Sequence, residues 1–153
     1  MYMNTKYQTT DELGHFGFED AYIGDVQVTT GFFHMVLDNV TIFPENSCNR
    51  DIRDMRANGL LLKIEDSAIT SMLQEGYKVL DANGKLLETK EDVIVEAKDY
   101  TTVVKSFVDG VIYSLEKKDD TYCFIIDGAD DRTYQMNVSG SHDVEEWERF
   151  LNK

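Results

Sequence analysis

Hydrophobic and polar positions alternate with a period of two over much of this chain, and that period predicts a sheet-rich fold. The alternation is clearest between Phe16 and Phe43. Phe16 and Phe18 share a face, as do Val26 and Val28. Phe33, Met35 and Leu37 then line one face, and Phe32, His34, Val36, Val40 and Ile42 the other. Thr29-Thr30-Gly31 interrupts the run with a glycine able to take positive φ, which predicts a hairpin connection.

From residue 44 to residue 58 the apolar period vanishes and polar residues crowd in, so a long polar loop is expected there. Leu60-Leu61-Leu62-Lys63-Ile64 restores a strand signal. Ser67 then stands where a helix cap would, with Ile69, Met72 and Leu73 at i, i+3, i+4 spacing and Gly76 as a stop. Tyr77 to Leu80 and Lys85 to Thr89 flank Asp81-Ala82-Asn83-Gly84, where Asn-Gly between apolar runs predicts a hairpin.

Tyr100, Val103, Val104, Phe107 and Val108 fit one helical face, although the β-branched run Thr101 to Val104 opposes a helix. Val111 to Leu115, Tyr122 to Ile126 and Thr133 to Val138 read as three strands of an antiparallel meander, separated by aspartate-rich turns. At the C-terminus, Asp143 followed by Glu146 resembles a capping box, and Val144, Trp147, Phe150 and Leu151 fall on a helical stripe. The expectation is therefore an α+β domain spanning residues 1–153. Its sheet is mainly antiparallel, strongly twisted or barrel-like, of about seven to eight strands. A C-terminal helix and one or two short helices pack on it, and residues 1–13 form a poorly ordered or edge lead-in.

Composition fits one domain with one core. The 153 residues are 42% hydrophobic and 11% aromatic, which argues against intrinsic disorder. The formal charge of −14 is shared equally, −7 in residues 1–76 and −7 in residues 77–153, so it belongs to the whole surface rather than to a tail. Such a field repels nucleic-acid phosphates and suits a basic protein partner. The N-terminal stretch shows no apolar signal region, and no run approaches the roughly 18 apolar residues of a membrane span. A cytoplasmic location is expected, with Cys48 and Cys123 as reduced thiols.

Candidate chemistry is sparse. His15, His34 and His142 form no close pair, so no metal site or other cofactor is expected. Asp127-Gly128-Ala129-Asp130-Asp131 has the wrong spacing for a calcium loop and suits a turn. No nucleophile elbow, P-loop or dinucleotide fingerprint occurs. The least typical feature is Arg50, Arg53 and Arg56, interleaved with Asp51 and Asp54. On a helical turn, i, i+3, i+6 spacing would place three guanidinium groups on one face, able to receive carboxylates or phosphates. The functional expectation is a non-catalytic, acidic protein-interaction domain of the inhibitor or immunity type. The alternative is a small-ligand-binding β-rich domain with a closed cavity lined by Phe16, Phe18, Phe32, Phe33, Tyr113, Tyr122, Phe124 and Tyr134.

Overall fold

The computed structural model describes residues 6–153 and is mostly antiparallel sheet. In chain order the strands are β1 (Tyr7–Thr10), β2 (Phe16–Gly17), β3 (Tyr22–Thr29), β4 (Gly31–Asp38) and β5 (Val40–Ile42). Next come β6 (Met55–Ala57), β7 (Leu60–Gln74), β8 (Tyr77–Leu80), β9 (Leu86–Lys90) and β10 (Val93–Ile94). A one-turn helix α1 (Tyr100–Val103) precedes β11 (Val111–Lys118), β12 (Thr121–Asp127), β13 (Thr133–Ser139), β14 (His142–Trp147) and β15 (Leu151–Asn152).

The 15-residue β7 organises the whole domain. Along one edge it carries β13 and then β14 in tandem, with Ser139 opposite Ala68 and His142 opposite Glu65. Along the other edge it carries β4, with Leu37 opposite Leu60 and Phe32 opposite Glu65, and then β10. Because β4 leads through β3, β11 and β12 back to β13, six strands close a barrel. The β3–β11 seam is the shortest, with one register pair, Tyr22 with Val111. Backbone hydrogen bonds of 2.9 Å from Ile23 N to Gly110 O and from Ile112 N to Ala21 O reinforce it. Where those strands diverge, α1 and the 3-10 turn Val104–Phe107 fill the gap, burying Val104 and Phe107. A second, four-stranded sheet runs β15-β6-β5-β2 and meets the barrel through Phe16, whose ring lies edge-on to Trp147 at 5.6 Å.

Inward positions of the barrel strands hold Phe33, Met35, Leu62, Ile64, Tyr122, Phe124, Ile126 and Met136, all fully or almost fully buried. Phe33 and Phe124 meet across the interior at 5.4 Å. Of the aromatic residues named for a cavity lining, Phe33, Tyr122 and Phe124 are buried in this interior, while Tyr113 is exposed.

The α+β expectation is corrected at two places. There is no C-terminal helix; residues 142–147 form strand β14. Asp143, Glu145 and Trp147 occupy its inward face, so two acids stand where alternation would show apolar residues, and the strand period is masked. The helix expected after Ser67 is likewise strand, the second half of β7. A β-bulge opposes Val138 to Ile69 but Met136 to Met72, so inward residues fall three apart instead of two. That spacing imitates one helical face. The segment from Tyr100 is helical, but α1 spans a single turn before passing into the 3-10 turn.

Candidate functional site

The strands β8 and β9 form a two-stranded arm that belongs to neither larger sheet. Its four register pairs run from Tyr77 with Lys90 to Leu80 with Leu86, with a bulge that leaves Leu87 unpaired. The tip is a turn built by Asp81, whose Oδ1 accepts from Asn83 N and Lys85 N at 2.9 Å. Gly84 there adopts φ +82°, a conformation glycine reaches at no steric cost. A lone two-stranded hairpin is marginally stable in water. This one is therefore held at its base.

Three contacts fix that base. Gly76 N donates to Asp92 Oδ1 at 2.6 Å, closing the neck of the arm. A side chain on Gly76 would run into the backbone of Lys90 and Glu91, so only glycine lets the two crossing segments approach this closely. Arg132 lies over the ring of Tyr77 at 5.0 Å while its guanidinium donates to Glu75 O at 3.0 Å. Tyr77 Oη donates to Glu88 Oε1 at 2.9 Å, which raises the phenol above its ordinary pKa.

Every strand residue of the arm is exposed. Among the described residues, ten large hydrophobics are exposed, and seven of them lie between residues 77 and 94. Leu80 is 56%, Leu87 62% and the neighbouring Ile94 79% accessible. Such a concentration exceeds the scattered apolar residues normal on a protein surface. Charged side chains of both signs flank it: Lys78, Asp81, Lys85, Glu88 and Lys90 on the arm, and Glu75, Glu91, Asp92, Glu96 and Arg132 at its base. An apolar centre with a charged rim is the layout of a protein-binding surface.

The arginine segment is organised differently. Residues 50–54 are irregular and Arg56 lies in β6, so the helical turn that would align the three guanidinium groups is absent. Arg53 folds back on Asp51, donating through Nε at 3.2 Å and a terminal nitrogen at 3.0 Å. That pairing holds the exposed Asp51 carboxyl below its ordinary pKa. Arg50 borders a shallow cleft with Tyr7, Cys48 and Phe150, a cleft that neither Arg53 nor Arg56 lines. Asn49 anchors the loop, its side-chain amide donating to the carbonyls of Ile42, Phe43 and Arg53.

A second polar group lies inside the barrel. Asp143 and Glu145 are completely buried. Tyr122 Oη donates to Asp143 Oδ1 at 2.8 Å, and Thr9 Oγ1 donates to Glu145 Oε1 at 2.7 Å. Lys117 Nζ approaches Asp143 at 4.0 Å from the surface. Burial first, and then the hydrogen bond and charge of Asp143, push Glu145 far above the usual carboxylate range, so it holds a proton at neutral pH. A perturbed acid pair of this kind is a recurrent sign of catalysis. Here neither carboxyl has accessible surface for a substrate to touch, and the pair acts as a proton-bearing link between β12, β14 and β1. Outside it, His142 Nδ1 pairs with Asp11 at 2.7 Å, and Ser47 binds Glu12 through both backbone and hydroxyl.

Among the described residues, no group of three or more His, Cys, Asp or Glu side chains is placed to hold a metal ion, and both cysteines are free. None of the described helices is long and apolar enough to cross a membrane. The turn after β12 is ordinary turn chemistry, with Asp130 accepting from Arg132 N at 3.1 Å and from Tyr134 Oη at 2.6 Å. Comparison with protein-family models, with curated proteins and with solved structures gives no match.

The sequence marks the arm as a hairpin but not as a surface. The available signal is adjacency: Val79-Leu80 and Leu86-Leu87 place apolar side chains on both faces of a two-stranded ribbon. A hairpin covering a core has one apolar face and one polar face.

Proposed function

We propose that this domain is a non-catalytic binding module that engages a protein partner through the β8–β9 arm. The observation that carries the reading is the clustering, among the described residues, of seven of the ten exposed large hydrophobics within residues 77–94. Leu80, Leu86 and Leu87 at the tip supply the anchor, and the charged residues around them supply the rim. The partner's complementary surface is an apolar groove, and the net charge of −14 over the whole chain favours one bordered by Lys and Arg. A second copy of this chain is a poor candidate, because two bodies of charge −14 repel each other. Charge complementarity of this kind speeds encounter and weakens as salt rises.

The test is site-specific photo-crosslinking in the native host. A crosslinking amino acid replaces Leu87, with Gln27, exposed on β3, as the control position. The expected result is one dominant product from position 87, diminished at high salt and absent from position 27. No product from 87, or the same product from both positions, overturns the reading.

A further inference from the structure

We infer that a cleft at one mouth of the barrel is a binding site for a neutral small molecule with an apolar body and at least one hydrogen-bonding group. The cleft lies between the β3–β4 turn, the middle of β7 and the start of the helical segment at Ala97, and its volume is about 480 Å³. That is within the range of small-molecule sites, roughly 300–1,000 Å³.

The space exists because small residues stand where bulk would fill it. Gly31 pairs with Ser67 across β4 and β7, and Ala68 and Ala97 complete that wall. Phe33, Ile69, Val138 and Tyr100 supply the apolar surface facing it. Next to Ile69 the β7 bulge interrupts the regular ladder with β13 at this wall. This site is distinct from the arm, because none of its lining residues falls within residues 77–94.

Two features define the ligand. The lining contains no Asp, Glu, Lys or Arg, so a charged group would lose its hydration without a compensating partner. An anion is disfavoured further by the overall charge of −14. Aliphatic carboxylates are therefore rejected, while the corresponding alcohols, esters or amides fit. Polar recognition is also provided for. Thr29, Thr30, Ser67, Tyr100 and Thr101 line the space and carry hydroxyls, and Ser67 itself is buried.

The experiment uses the full chain and the fluorescent probe aminoanthracene, which is neutral at pH 7, displaced by decanol or by decanoate. The expected result is saturable one-site binding, with decanol displacing the probe at concentrations at least about tenfold below those needed for decanoate. Ala68→Trp fills the cleft from β7 and abolishes binding with an unchanged melting temperature. Thr101→Trp fills it independently from the helical segment, so one misfolded variant leaves the other to decide. A Leu80→Glu/Leu87→Glu variant retains full probe binding. Absence of saturable binding, unchanged binding in a folded tryptophan variant, equal displacement by decanoate, or loss of binding in the arm variant each overturns the inference. None of these results bears on the arm as a protein-binding surface.

Discussion

Tyr122 Oη donates to Asp143 Oδ1 at 2.8 Å inside the barrel, tying β12 to β14 where both side chains are fully buried. The same burial and the same hydrogen bond raise the Tyr122 phenol far above its ordinary pKa, so it keeps its proton well beyond neutral pH. Tyr122→Phe removes the donor and leaves a buried acceptor with Lys117 4.0 Å away as its nearest charge partner. The expected cost is about 1–3 kcal/mol, read from urea unfolding midpoints at constant m-value. An unchanged midpoint would show that the bond contributes nothing.

Glu145 gives the fold a pH dependence whose sign follows from its raised pKa. The folded state keeps a proton that the unfolded chain releases near the ordinary value of 4.5. Its contribution is therefore fully present below that value and declines as pH rises through neutrality. Between pH 4.5 and pH 7 the decline amounts to about 3 kcal/mol. Glu145→Gln keeps a donor toward Asp143 and an acceptor for Thr9 while removing the titration. Urea unfolding across that range is expected to show a falling wild-type curve and a flatter one for Glu145→Gln, the two diverging toward neutral pH. Parallel curves would mean that Glu145 does not hold the proton.

Gly76 sets the direction of the arm. Gly76→Ala forces the neck apart, because the new methyl meets backbone rather than a movable side chain. The hydrogen bond to Asp92 is lost with it. Amide exchange is expected to accelerate across residues 77–92 and to stay unchanged in the barrel strands β11 to β13. Uniform acceleration over the whole chain would place Gly76 in the core instead of at a hinge.

Arg53 and Asp51 form an exposed pair, and such pairs contribute little. Arg53→Ala is expected to change stability by no more than about 0.5 kcal/mol in thermal or urea unfolding. A larger loss would mean that the arginine segment supports the fold through contacts beyond Asp51.

How much of this was legible in the sequence depends on whether inward positions were apolar. Phe33, Met35 and Leu37 announce β4, and Tyr122, Phe124 and Ile126 announce β12, because every second residue is hydrophobic and buried. The same rule fails on β14, where Asp143 and Glu145 take inward places, and on β7, where a bulge stretches the interval from Ile69 to Met72. Closure of the sheet depends on β4 and β13 both pairing with β7, a non-local relationship that no local period encodes. The hairpin at Asn83-Gly84 is readable from its turn. That it stands free of the body is not, since exposure depends on what the rest of the chain leaves uncovered. The arginine spacing suggested a shared face, and the irregular backbone of residues 50–54 does not provide one.

The arm as the partner-binding surface is tested most directly by one affinity ratio. The partner captured from position 87 is titrated against wild-type protein and against Leu80→Glu/Leu87→Glu, whose substitutions lie on exposed strand residues that leave the barrel untouched. The account predicts binding at least about a hundredfold weaker in the variant, about 2.7 kcal/mol, at an unchanged melting temperature. Equal affinity in the two proteins contradicts it.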